Sequence, residues 1–346
     1  SERQFAKEAE ILSKDAQRDS PLRKLTGPSE VMNRLVSEIN LVAKSNFSVV
    51  VLGETGSGKE LAARAIHEAS DRSPKCLLAV DCGAIPENLF ESEFFGHQKG
   101  AFTGATENKP GAFVAAHGGS LFFDEISNLP IGSQAKLLRV LQEKLVYALG
   151  STKAVSVDVR VVAASNQNLR ELTMSGAFRE DLYFRLSEYI IRIPPLRDRK
   201  DDISHLIKLF LDNANNELGK KVGGVSEKAM QVLLEHDWPG NVRELRSVIR
   251  RAVLLADRII RKRDLKIQKM PASKPKVASK SHSVQWSGEP LKEVVRECTT
   301  DVEREVLVQV LNQTQGNKAA AARLLKVDYK TILSKLKEYR ISEWRE

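Results

Sequence analysis

Cysteine is scarce in this 346-residue chain: Cys76, Cys82 and Cys298 are the three, scattered and odd in number. That excludes a disulfide framework or a cysteine metal cage and fits a reducing compartment. Six histidines show no ligand spacing. No run of about 18 apolar residues occurs, and the N-terminus has no charged start followed by an apolar core, so neither a membrane span nor a secretory leader is expected. What is present, 42% hydrophobic and 29% charged residues, is the balance of a soluble globular protein, expected to be cytoplasmic and long enough for two or three domains. The net charge of +9 is uneven, because residues 266–346 hold 16 Lys and Arg against 10 Asp and Glu. Coupled to a DNA-binding motif, such a basic end implies phosphate contacts.

The pattern divides the chain. Residues 1–20, with Phe5, Ala9 and Leu12 at helical spacing and Ser1 in place of Met, read as a linker helix in a fragment that lacks an N-terminal regulatory domain. Residues 21–192 alternate apolar runs (Ser48 to Leu52, Leu77 to Val80, Ser120 to Phe123, Val159 to Ala164) with helical periodicity, which predicts an α/β subdomain built on a mainly parallel sheet. After Pro194 and Pro195, residues 193–265 show helical periodicity only, as a lid would. Residues 266–288 are rich in Lys, Ser and Pro and read as a flexible linker. Residues 289–346 are helical again, the first part carrying Leu291, Val294, Val295, Cys298, Val302, Val306 and Val310 on one face, a dimerisation surface.

Val49-Val50-Val51-Leu52 runs into Gly53-Glu54-Thr55-Gly56-Ser57-Gly58-Lys59 and then a helix from about Glu60. Glycines there let the backbone curl so that N–H groups face phosphate oxygens at a helix N-terminus, and Lys59 adds charge for the β and γ phosphates. Position 60 carries Glu where this motif usually places a hydroxyl for Mg²⁺. A second apolar strand ends in Asp124-Glu125, 65 residues after Lys59, which suits Asp124 to Mg²⁺ and Glu125 to orienting and polarising an attacking water.

Between those two sites lies Gly100-Ala101-Phe102-Thr103-Gly104-Ala105, a small apolar tip better suited to touching a protein than to chemistry. An apolar tip in water is costly unless used. This GAFTGA stretch, with Glu93-Phe94-Phe95-Gly96-His97 before it, resembles the signature of bacterial activators of RNA polymerase carrying sigma-54, an NtrC-like family, and the resemblance runs from about Leu22 to the C-terminus. It implies an AAA+ P-loop ATPase with a helical lid, followed by an all-α helix-turn-helix domain. In that family GETGxGKE is common, so Glu60 agrees with it and metal binding moves to water and the acidic strand end. The implied cofactors are ATP and Mg²⁺. The implied partners are sigma-54 and RNA polymerase, double-stranded enhancer DNA and further copies of the chain, from a dimer to a hexameric ring, with no membrane.

The resemblance assigns further residues. Asn166, ending Val161-Val162-Ala163-Ala164-Ser165-Asn166, is similar to a γ-phosphate sensor, the alternative being an ordinary strand-end turn. Arg179 and Arg185 of Phe178-Arg179-Glu180-Asp181-Leu182-Tyr183-Phe184-Arg185 would act on ATP in a neighbouring subunit, or only form interface ion pairs. Arg243 of Trp238-Pro239-Gly240-Asn241-Val242-Arg243-Glu244-Leu245 would be a lid sensor, or a surface arginine. Asp81 stands where many relatives carry an Asn whose amide is thought to hold the catalytic Glu. An Asp81 near Glu125 would put two carboxylates in one site and make such a switch more sensitive to pH.

At the C-terminal end, Gly316-Asn317 starts one helix and Asp328 the next, with a tight turn near Lys326-Val327, and GNKAAAARLL resembles a Fis-type helix-turn-helix. Tyr329, Lys330, Thr331, Ser334 and Lys335 would read DNA; Lys337 and Arg340 would contact phosphate. Two other readings stay open: a repressor that keeps this fold and only binds nucleotide, and a DNA-remodelling AAA+ enzyme, which leaves the GAFTGA loop unexplained.

Overall fold

The computed structural model describes residues 26–267 and, with gaps, residues 290 and 299–339. The expected linker helix 1–20, nearly all of the 266–288 linker and the apolar positions Leu291, Val294, Val295, Cys298 and Val302 lie outside the described residues, as do Lys326 and Arg340. The chain falls into two units, one within 1–267 and one within 268–346.

In the first unit, α1 (Glu30–Ala43) precedes β1 (Val49–Leu52), α2 (Lys59–Glu68), β2 (Leu77–Asp81) and α3 (Phe90–Phe95). Two short strands, β3 (Gly96–His97) and β4 (Lys109–Pro110), then flank a loop, followed by α4 (Ala112–Ala115) and β5 (Ser120–Asp124). Next come α5 (Ile131–Glu143), the hairpin strands β6 (Leu145–Tyr147) and β7 (Ala154–Ser156), β8 (Arg160–Ser165), α6 (Leu169–Met174), α7 (Glu180–Leu186) and β9 (Tyr189–Arg192). The main sheet has the order β2-β5-β8-β1-β9 with every pairing parallel. Its central strands are buried on both faces, which is why they read as unbroken Val, Ala and Phe runs. One face packs Phe94, Phe113, Phe123, Leu137 and Leu182. The other packs Leu35, Ile39, Ala62 and Ile66 of α1 and α2.

From residue 201 the unit is mainly helical: α8 (Asp201–Leu218), α9 (Glu227–Glu235) and α10 (Asn241–Leu255) bury Leu206, Leu233, Leu245 and Ile249 around Trp238. Trp238 donates its indole N–H to the Leu233 carbonyl at 2.9 Å, so its one polar atom is satisfied inside the core. Among the described residues no helix is long and apolar enough to cross a membrane. The second unit holds α11 (Lys318–Leu325) and α12 (Tyr329–Glu338), packed through Ala321, Ala322, Ile332 and Leu336 onto Leu307 and Leu311.

Candidate functional site: a phosphate cleft, a projecting loop and a helical pair

Parallel strands all end on one side of a sheet, and here β1, β5 and β8 end together. β1 feeds the loop 53–58, where Gly56 (φ +76°) and Gly58 (φ +108°) take left-handed conformations that side chains disfavour. Lys59 opens α2 and donates its ammonium to the carbonyls of Gly53 (2.9 Å) and Glu54 (3.1 Å). Desolvation holds its pKa below the ordinary lysine value, against the pull of the Asp124 and Glu125 carboxylates. Asn166, just past the end of β8, points its amide at Thr55 Oγ1 (3.4 Å). A cavity of about 460 Å³ opens here, lined by Gly56, Gly58, Lys59, Asp124, Arg243 and Arg246. The Lys59, Arg243 and Arg246 cations around one space suit a polyphosphate.

The buried Ser57 Oγ has no hydrogen-bond partner among the described residues. Beside it, Met32, Leu35, Leu61, Ile193 and Val242 line a narrow apolar crevice of about 20 Å³, smaller than a nucleobase. The cations of the cleft fit the phosphates of a nucleotide. No cluster of three His, Cys, Asp or Glu side chains exists among the described residues. Asp124, in the lining of the cleft, is the carboxylate that would hold a magnesium ion alongside waters and phosphate oxygens. Glu60 lies mostly exposed beside Arg64, 3.6 Å away.

The lid is tied to this loop. Asn241, fully buried, accepts from Leu196 N–H (2.8 Å) and donates to Glu54 Oε2 and the Thr55 carbonyl (both 3.1 Å). Arg197 pairs with Glu54 at 2.6 Å and holds that carboxyl below its usual pKa. Arg243 N–H reaches the Gly56 carbonyl at 3.3 Å. A side chain at position 56 would stand 2.4 Å from the Gly240 carbonyl, so glycine is what lets lid and loop touch. Trp238 and Asn241 both have φ of 51°, a strained turn on either side of Pro239-Gly240 that aims α10 at the cleft.

Arg179 and Arg185 lie elsewhere. Arg179 is half-exposed and bonded to Asp181 (2.7 Å). Arg185 bonds Glu188 (3.2 Å) and the Leu141 carbonyl (3.0 Å) and lines a separate cavity of about 360 Å³ with Arg72, Lys144 and Arg160. Arg160 begins β8, whose other end bonds the phosphate loop through Ser165 O and Gly53 N–H. Six residues of strand span roughly 17 Å, so Arg185 is too far to serve its own chain's cleft.

The loop between β3 and β4 is pinched at its base. A Cβ at Gly96 would lie 2.5 Å from the Lys109 carbonyl, and one at Gly111 would lie 2.3 Å from Phe95 C. Leu149, from the β6–β7 hairpin, bonds Gly96 O (2.8 Å) and Gln98 N–H (2.9 Å). The tip is less bare than expected: Phe102 packs edge-on to His97 with ring centroids 5.1 Å apart, and Ala105 is buried. Gly100 and Gly104 have positive φ, and Thr103 is exposed.

In the second unit Asn317 Oδ1 accepts from Ala319 N–H (3.1 Å) and Ala320 N–H (3.0 Å), capping α11. Asp328 occupies the N-cap position of α12 without a side-chain bond. Tyr329, Lys330, Thr331 and Ser334 are exposed. Lys335 differs: it turns to Glu303 in an ion pair, with its ammonium 5.6 Å from the Tyr339 ring centroid, because it falls on the inner side of α12 between Ile332 and Leu336.

Three family models match in chain order: the sigma-54 interaction domain over residues 25–192, an AAA+ ATPase lid domain over 197–282 and the Fis family of bacterial regulatory proteins over 300–339. The transcriptional regulatory protein ZraR of Escherichia coli is 44% identical over 313 residues, 90% of this chain and 68% of its own length. The chain belongs to the sigma-54-dependent activator family. Another relative, the response regulator protein PilR of Pseudomonas aeruginosa, is 40% identical, with 91% of this chain and 69% of PilR covered. A crystal structure of NtrX from Brucella abortus in complex with ADP matches with a TM-score of 0.65 at 33% identity, over 97% of this chain and 75% of NtrX.

This sigma-54-dependent activator therefore has the AAA+ P-loop NTPase fold followed by a helix-turn-helix domain. Its structure gathers Lys59, Asp124 and Arg243 around one cleft, keeps Asn166 beside Thr55 of the phosphate loop, and leaves Arg179 and Arg185 outside the cleft. Sequence reasoning missed Arg246, which the helical phase of α10 places beside Arg243, three residues away. It also missed the Arg197–Glu54 and Asn241 ties, which join residues 143 and 187 apart.

Proposed function

We propose that this activator hydrolyses ATP to ADP and phosphate and uses the cycle to remodel the closed complex of sigma-54 RNA polymerase through residues 100–105. Loop 53–58 and Lys59 bind the phosphates, and Arg243 and Asn166 read the γ-phosphate. Bound Mg²⁺, held at Asp124, would neutralise phosphate charge. Glu125 orients a water and accepts its proton as the water oxygen bonds to the γ-phosphorus and the bond to the bridging oxygen breaks, leaving the electron pair on ADP. Arg179 and Arg185 serve the nucleotide of a neighbouring copy in a ring, which the distance of Arg185 from its own cleft favours. Tyr329, Lys330, Thr331 and Ser334 face enhancer DNA, and Lys335 contributes once released from Glu303.

One observation carries the coupling. Both supports of the loop grow from strands that end in the candidate site: β2 leads into α3 and Gly96, and β5 leads through α5 to the hairpin that grips Gly96 and Gln98. The test is conversion of a sigma-54 polymerase closed complex into a heparin-resistant open complex with ATP but not with a non-hydrolysable analogue. Thr103→Ala is expected to keep ATPase activity within about twofold and to lose open-complex formation, since surface substitutions rarely disturb the fold. Retained open-complex formation in Thr103→Ala would refute the assigned loop role.

A further inference from the structure

Glu125 sits in a left-handed backbone conformation (φ 52°) at the end of β5, a strained position for a residue with a side chain. The turn that fixes it is closed by Asn128, whose N–H bonds the Glu125 carbonyl at 2.9 Å. The Asn128 side chain then reaches back: its amide donates to Glu125 Oε2 at 2.8 Å. That oxygen lies over the end of β2, 2.6 Å from where a Cβ on Gly83 would be. The strand order β2-β5-β8-β1 puts the phosphate loop on the opposite side of β5. The carboxylate therefore rests toward β2, with its charge still felt at Lys59.

Asp81 brings a second carboxylate to this corner, beside its strand partner Asp124. Its Oδ1 accepts from Gly83 N–H at 2.8 Å and lies 3.2 Å from the same Gly83 Cβ position, so Asp81 and Glu125 oxygens are at most about 6 Å apart, within the range where like charges repel. A carboxylate accepts and cannot donate. Asp81 therefore cannot hold Glu125 and pushes against it, and the Asn128 amide is what offsets that push.

We propose that Asn128 is the positioning residue that keeps Glu125 in its resting orientation, so that catalysis requires breaking the Asn128–Glu125 bond. The inference rests on the reading of Glu125 as the residue that orients water. Losing the charge-assisted Asn128 bond, with Asp81 still repelling, shifts Glu125 toward the phosphate loop.

The test is steady-state ATPase kinetics of the chain carrying Asn128→Ala, the isosteric Asn128→Asp, and Asn128→Ala combined with Asp81→Asn, with Glu125→Gln as control. Both single variants should raise kcat by about tenfold with KM for ATP unchanged. Asp81→Asn in the Asn128→Ala background should restore a slow rate by returning an amide donor from the other side of Glu125. A kcat that falls or stays level in both single variants, or that stays high in the double variant, overturns the proposal. Undiminished hydrolysis by Glu125→Gln would instead overturn the underlying reading of Glu125, whatever Asn128 does.

Discussion

Replacing Asn241 with Ala should unfasten the lid from the phosphate loop, and the structure gives the cost in two separable parts. The first is hydrogen bonding: the buried Leu196 N–H loses its acceptor, and Glu54 and Thr55 lose a donor. One orphaned buried donor costs about 1–3 kcal/mol. The second is backbone: residue 241 has φ 51°, which Asn tolerates better than Ala does, at about 1 kcal/mol. Asn241→Ala should therefore destabilise the unit by about 2–4 kcal/mol. Asn241→Gly loses the same bonds but relaxes the backbone, so it should be milder by about 1 kcal/mol. Urea unfolding of both variants, with fluorescent ATP binding alongside, measures the two parts. Equal destabilisation by Ala and Gly would refute the backbone argument. Losses under about 0.5 kcal/mol in both would show that Asn241 does not fasten the lid.

Two further outcomes follow from buried groups. His67 is buried with Nε2 facing the Lys75 carbonyl (3.2 Å), so Nε2 carries the proton and Nδ1 accepts from Ser120 Oγ (2.9 Å). Burial holds its pKa below the ordinary 6.5, so the unfolded chain binds the proton first as pH falls. Stability attributable to His67 is complete above pH 6.5 and declines below it, by at most about 1.4 kcal/mol per pH unit, and His67→Gln should flatten that slope in urea titrations between about pH 6.5 and 5. Cys82 is buried, and burial first, then the Asp81, Asp124 and Glu125 carboxylates, push its thiol up to about 12. A thiol reagent at about pH 8 should label exposed Cys76 and spare Cys82 until denaturation, as peptide mass mapping would show.

The strands carrying the cleft were legible because burial on both faces demands continuous apolar runs: the expected Ser48 to Leu52, Leu77 to Val80, Ser120 to Phe123 and Val159 to Ala164 lie within a residue of β1, β2, β5 and β8. The fifth strand, β9, was not, because Tyr189-Ile190-Ile191-Arg192 follows α7 after only Ser187 and Glu188, with no Gly or Pro to mark the change. Strands β3 and β4 are two residues each, one containing Pro110, too short for any period to show. Phosphate-loop chemistry reads out because it is local, a glycine pattern followed by Lys59. Asn128 carries no such signal, since a polar residue three positions past Glu125 looks like any turn until the turn folds back on the carboxylate.

The pinched base at Gly96 and Gly111 has one more consequence. Because the two crossing backbones are closer than any side chain allows, the segment between them hangs from the domain as a separable cartridge. A push delivered at the tip therefore reaches the domain through that clasp, and a side chain placed at Gly96 or Gly111 would disturb the transmission while leaving the tip residues themselves unaltered.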